Sequence, residues 1–194
     1  MRRMKEADVK ALFAFVANDI DIEKIPLDDQ KTYHLLATAD TDGVYMLESD
    51  WDKYDLLQIQ PKDFDELTAS LALSHNPTMN PYIYTYLKIQ KVQPFTFSRY
   101  SEIEAAKEIL KDSHGMLLYK EQADAIIRHI ATMSEEDKME QAMAIKILTR
   151  EIEKRKGTLS DRTFFRTRAL FCYRNAYIKA NLNEQFNRFL SETQ

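Results

Sequence analysis

Asp112-Ser113-His114-Gly115-Met116-Leu117-Leu118-Tyr119-Lys120-Glu121-Gln122 opens the stretch that decides the fold; the chain then continues to Met133, restarts at Ser134-Glu135-Glu136-Asp137 and runs through Ala142-Met143 to Arg150. Gly115 is one of three glycines, and its place ahead of an apolar run predicts a turn that needs a residue without Cβ. Ala123, Ile126, Ile127, Ile130 and Met133 follow at the i, i+3, i+4, i+7 spacing of a helix buried along one stripe. Ser134 can accept an N–H from two or three residues on, and the three acids behind it suit the positive end of a helix dipole. A second helix is therefore expected from Ser134 through Arg150.

Outward from this stretch the composition agrees. The chain has 194 residues, 44% of them hydrophobic, enough for one domain with a sizeable core. With 3 glycines and 5 prolines there is little punctuation, and helix formers dominate. The expected fold is all-α, parsed as a single domain over residues 1–194. The lone Cys172 excludes an internal disulfide and suits a reducing compartment as a small packing residue. No apolar run follows the basic Met1-Arg2-Arg3 that could insert in a membrane, so a soluble, cytoplasmic protein is expected.

Going along the chain, a short helix is predicted within residues 4–17. A second follows an Asp28-Asp29 cap to cover Thr32–Leu36, a third spans Asp52–Ile59, and a fourth begins after Pro61 and buries Phe64, Leu67, Leu71 and Leu73. Asp63-Phe64-Asp65 and Asp50-Trp51-Asp52 have the spacing of a metal-binding carboxylate pair, but both fall where a helix starts and read as first-turn residues. Residues 81–97 are read as an irregular loop with a short strand or helical turn, in which Tyr82, Tyr84 and Tyr86 alternate. Such aromatics can stack on single-stranded bases, or simply pack. A short helix is expected from Glu102 with Ile103, Ala106, Ile109 and Leu110 inside. Gly157 reads as the residue just beyond a helix end and Ser160 as the cap of a last long helix, Phe164 to about Ala180.

His34, His75, His114 and His129 have no ligand spacing among themselves, and one cysteine cannot build a zinc site. No Gly-rich phosphate loop and no nucleophile elbow occurs. Neither a catalytic constellation, a metal site nor a cofactor is expected. Charge, however, is unevenly spread: residues 1–144 hold 16 Lys+Arg against 26 Asp+Glu, whereas residues 145–194 hold 11 against 5. A basic third on an acidic chain suits an anionic partner such as a phosphate backbone, or else pairs with the acidic part.

Four segments in order resemble one family. Gly115-Met116-Leu117-Leu118-Tyr119 with Glu121-Gln122 is similar to a segment in the fingers domain of the bacterial DNA polymerase III alpha subunit. Ile25-Pro26-Leu27-Asp28-Asp29-Gln30-Lys31-Thr32-Tyr33, Asp40-Thr41-Asp42-Gly43-Val44-Tyr45-Met46-Leu47-Glu48-Ser49 and Ala176-Tyr177-Ile178-Lys179-Ala180 with Phe186 match further motifs of the same family. The resemblance implies a helical fingers-like domain and a link to DNA replication.

Departures from the family pattern narrow that implication. The family has a metal-binding Asp upstream of the Ile-Pro-Leu-Asp-Asp motif, in a context that none of the 24 residues before Ile25 reproduces. Where its Arg-Arg-Ala-Met-Gly-Lys-Lys approaches a triphosphate, this chain reads Glu140-Gln141-Ala142-Met143-Ala144-Ile145-Lys146. Charge-assisted contacts to phosphate are each worth about 1.5–3 kcal/mol, so losing three of them, one to a repelling Glu, would largely abolish triphosphate binding. The expectation is a free-standing relative without polymerase activity of its own, binding DNA or protein. Its phosphate contacts would come from Lys146, Arg150, Lys154, Arg155, Lys156, Arg162, Arg166, Arg168, Arg174 and Lys179. The alternatives are the fingers part of a split polymerase, partnered by a palm-containing chain, and a protein-interaction scaffold that does not touch nucleic acid.

Overall fold

The computed structural model describes residues 3–92 and 104–193. Among them are eleven α-helices: α1 Glu6–Phe15, α2 Gln30–Ala37, α3 Asp50–Ile59, α4 Phe64–Ser74, α5 Ile83–Val92, α6 Glu104–Ile109, α7 Lys120–Thr132, α8 Glu135–Glu140, α9 Ala142–Arg155, α10 Arg162–Asn181 and α11 Asn183–Thr193. No strand occurs among the described residues; one isolated parallel bridge joins Tyr119 and Ser160. The all-α expectation is met.

Polar side chains start several of these helices. Asp29 caps α2 by accepting the Thr32 N–H at 2.8 Å. Ser49 and Asp52 close a reciprocal capping box on α3, Asp63 accepts the Glu66 N–H at 2.8 Å at the head of α4, and Ser134 caps α8. The carboxylates of Asp50-Trp51-Asp52 and Asp63-Phe64-Asp65 are thus helix-start groups.

The contacts divide the chain into two compact units. Residues 1–70 with 166–194 form the first, and residues 71–165 form the second. In the first, Val9, Leu12 and Val16 pack with Ile178, Phe186 and Phe189, so that the chain's two ends share one core. Phe13 meets Phe171 at 5.9 Å and Phe15 meets Phe189 at 5.6 Å between ring centroids. Gly43 is fixed by the same core: at φ +76° its backbone is left-handed, and a Cβ there would stand 2.8 Å from Cζ of Phe186.

In the second unit α6, α7 and α9 bury Ala106, Leu110, Leu117, Ala123, Ile126, Ala144, Leu148, Ile152 and Leu159 together. The turn before α7 takes left-handed backbone at His114 (φ 52°) and at Gly115 (φ 86°), as the glycine predicted. Of the predicted α7 stripe, Ala123 and Ile126 are buried, whereas Ile127 is 43% exposed.

Four local expectations are corrected. The described part of the supposed loop at 81–97 is a 3-10 turn, Asn80–Tyr82, followed by α5, because two steps along a helix turn about 200° and so send Tyr84 outward and Tyr86 inward; residues 93–97 lie outside the described residues. The helix expected from Ser134 to Arg150 is two helices parted at Gln141, whose φ −100° and ψ 16° interrupt the spiral. Gly157 follows a right-handed Lys156 and is not among the glycines of positive φ. Ser160 does not cap α10; its Oγ donates to the Ala72 carbonyl and accepts from Asn76 Nδ2, and Asp161 accepts the Phe164 N–H in its place. Of the helix expected from Glu102, α6 is described; Glu102 and Ile103 lie outside the described residues.

Candidate nucleic-acid interface

Ten basic side chains were expected to meet phosphate, and the structure separates them by what surrounds each. Lys146, Arg150 and Lys154 are exposed on α9. Their spacing of four and again four residues brings them onto one side of the helix, over a rise of roughly 12 Å. Lys156 is exposed one residue past the end of α9. The opposite side of α9 buries Ala144, Leu148 and Ile152, so the amphipathic pattern itself turns the cations outward.

Arg155 lies on the buried side. It is 4% exposed, with its guanidinium 4.4 Å from the centroid of Tyr82, Nη2 3.7 Å from Met79 Sδ and Nη1 3.9 Å from Glu151. A guanidinium stacked in this way fills space through its flat face and long stem. In the same unit Arg162 is paired with Asp112 and lies over the Tyr119 ring at 5.8 Å.

The four remaining candidates, all in the first unit, have acidic partners from the N-terminal part of the chain. Arg166 pairs with Asp65 and lies 4.9 Å over Phe64. Arg168 pairs with Glu6 and donates to the Tyr45 hydroxyl at 2.7 Å. Arg174 holds Glu23 through two bonds of 2.8 and 2.6 Å. Lys179, 9% exposed, donates to Asp40 Oδ1 at 2.7 Å and to the Asp40 and Asp42 carbonyls at 2.8 and 3.1 Å. Hydrogen bonds from Lys10 and Arg168 hold the Glu6 carboxyl below its usual range, and the bond to Glu6 raises Arg168. The charge asymmetry of the sequence is in large part an internal complementarity, since the acids of residues 6–65 meet the bases of residues 166–179.

The motif residues have roles of the same internal kind. Gln122, 2% exposed, accepts the N–H groups of Leu118 and Tyr119 at 3.0 Å each, and donates to Asp112 Oδ1 at 3.0 Å and Ser113 Oγ at 2.7 Å. Glu121 accepts the N–H groups of Arg162 at 3.0 Å and Thr163 at 3.2 Å, which caps α10 from a distant part of the sequence. Asp29 accepts from Thr32 and from Asn181 Nδ2 at 3.0 Å, and its N–H donates to the Tyr173 hydroxyl at 2.9 Å. Burial pushes that phenol up to about 12. Glu48 receives the N–H groups of Met4 at 2.6 Å and Gly43 at 3.0 Å. Apart from the local Asp29 cap on Thr32, the sequence carries no signal for these partners, the farthest of which lie 41 to 152 residues away.

Where the family would place cations toward a triphosphate, Glu140 ends α8 exposed and Gln141 forms the break before α9. Of the three alternating tyrosines, Tyr82 packs on Arg155, Tyr86 is fully buried against His114 at 5.5 Å, and Tyr84 is 70% exposed with Lys88 Nζ 5.4 Å from its ring. They do not form a row of stacking platforms. No helix among the described residues is long and apolar enough to cross a membrane.

Comparison with known proteins bears on this geometry. The family model of the bacterial DNA polymerase III alpha subunit finger domain matches residues 7–162. DNA polymerase III subunit alpha of Staphylococcus aureus strain Mu50 is 34% identical over 137 residues, covering 66% of this chain and 12% of the relative. The subunit of the same name from Staphylococcus epidermidis is 34% identical over 130 residues with the same coverage. The chain spans about an eighth of the length of these curated relatives.

Proposed function

The chain belongs to the bacterial DNA polymerase III alpha subunit finger domain family, and from that premise we propose that it is a binding module of DNA replication that touches the phosphate backbone through the outward side of α9 and has no polymerase activity of its own. The observation that supports this most is the contrast between Lys146, Arg150, Lys154 and Lys156, which are exposed, and the other six candidates, which are buried or paired with acids inside the protein. A cation already held by a carboxylate must give up that partner to bind phosphate; an exposed one gains the attraction and releases counterions.

Glu140 and Gln141 support the non-catalytic part of the reading. A carboxylate and an amide stand where the family presents arginines, and an exposed carboxylate repels a triphosphate. Backbone contacts by lysine and arginine are blind to base sequence, so the proposed binding is sequence-independent. Its place of action would be the cytoplasm, with replicating DNA, and the chain carrying the polymerase palm would be a protein neighbour.

Fluorescence anisotropy with labelled primer-template and single-stranded DNA tests the proposal. Micromolar or tighter binding at low salt that weakens toward physiological salt, and that does not depend on sequence, is the expected outcome. Absence of binding at low salt would refute it, and nucleotide incorporation by the purified chain alone would refute the non-catalytic part.

A further inference from the structure

The outer side of α3 is apolar where a surface helix is ordinarily polar. Its inner side buries Asp55, Leu56 and Ile59 at 6%, 0% and 2% exposure, whereas Trp51, Tyr54 and Leu57 are 78%, 58% and 48% exposed. Steps of three residues shift each of these side chains by about 60° around the helix, so they form one oblique stripe about two turns long. Trp51 is the only tryptophan of the chain. Tryptophan and tyrosine are the residues most enriched where one protein anchors on another.

The surroundings of the stripe select the occupant. Of the six acids in residues 40–55, Asp40 is engaged by Lys179, Glu48 by the Met4 and Gly43 N–H groups and Asp52 by the Ser49 capping box, and Asp55 is buried; the segment has one lysine. That lysine, Lys53, is held by Asp42 at 2.6 Å, and Asp50 is exposed at the start of the same helix. Bases could stack on Trp51 and Tyr54, but their phosphates would then approach the exposed Asp50 carboxylate next to Trp51, on a segment whose acids outnumber its one lysine. A helix with an apolar stripe flanked by Lys or Arg satisfies both the apolar anchors and the acids.

We propose that the Trp51–Tyr54–Leu57 face of α3 is a docking surface for a cationic amphipathic helix of a second polypeptide. The proposal does not depend on nucleic-acid binding by α9.

Two helical peptides lacking tryptophan test it. They share one leucine stripe at i, i+4, i+7 spacing, and are flanked by lysines in one and by glutamates in the other. Titration of the lysine peptide should shift Trp51 emission to the blue, saturably and less strongly at high salt, with the glutamate peptide at least about tenfold weaker. Tyr54→Ala and Leu57→Ala, which keep the fluorophore and alter only exposed side chains, should each weaken binding about tenfold, while Tyr84→Ala should leave it unchanged. No shift with either peptide, or equal shifts with both, would overturn the proposal. So would the same shift with oligo-dT, or self-association of the protein alone that Tyr54→Ala abolishes.

Discussion

Gln122 shows how one polar side chain can hold a turn in place. Its amide group uses oxygen and nitrogen at once, taking two backbone N–H groups and giving hydrogens to Asp112 and Ser113. Gln122→Ala strands the buried N–H groups of Leu118 and Tyr119, each costing about 1–3 kcal/mol, so urea unfolding should show a loss of about 2–6 kcal/mol. A loss below about 0.5 kcal/mol, the scatter of exposed substitutions, would contradict the hub. Asp29 is a comparable case with a pH dependence. Burial alone would raise its carboxyl, but the hydrogen bonds from Thr32 and Asn181 outweigh it and the group titrates below its usual range. A depressed carboxylate stabilises the fold above the unfolded-state value of about 3.9, and that contribution fades as pH falls through the lower folded value. Asp29→Ala should therefore cost about 2 kcal/mol at pH 7, and the gap from the parent should narrow in urea titrations near pH 3. A gap that widens in acid would show that the sign is wrong.

Helices were legible where their ends are local. Asp29 and Ser134 cap within three residues of themselves, so sequence alone places the starts of α2 and α8; α3 begins two residues before the expected Asp52, at the Ser49 cap. α5 was missed because alternating tyrosines mimic a period of two, whereas within the helix Tyr84 turns outward and Tyr86 packs on His114. The break between α8 and α9 was also invisible, since Gln141 is a good helix former. Among the candidate phosphate contacts, the α9 cations could be read from helical spacing, whereas the pairing of α10 could not: its acids lie 50 to 162 residues away in the chain. The Arg174–Glu23 pair can be weighed by a double-mutant cycle of Arg174→Ala and Glu23→Ala, in which a coupling of about 0.5–1 kcal/mol is expected for a forked but partly exposed pair. Additive single effects would mean that Arg174 contributes only through packing.

At the scale of the whole molecule, the acidic and basic parts of the sequence largely answer each other inside the protein, and of the ten candidate cations those on the outward side of α9 and Lys156 just beyond it are left exposed. The measurement that tests this most directly is the dependence of DNA affinity on salt, for the parent chain and for Lys146→Ala/Arg150→Ala/Lys154→Ala. Four exposed cations predict a slope of log affinity on log salt of about −3 to −4 for duplex, and the triple variant should bring it to about −1, because each neutralised phosphate contributes about 0.9. Arg166→Ala, which removes a cation already paired with Asp65, should leave the slope unchanged. An unaltered slope in the triple variant, or a slope that falls with Arg166→Ala, would contradict the assignment of the phosphate contacts to α9.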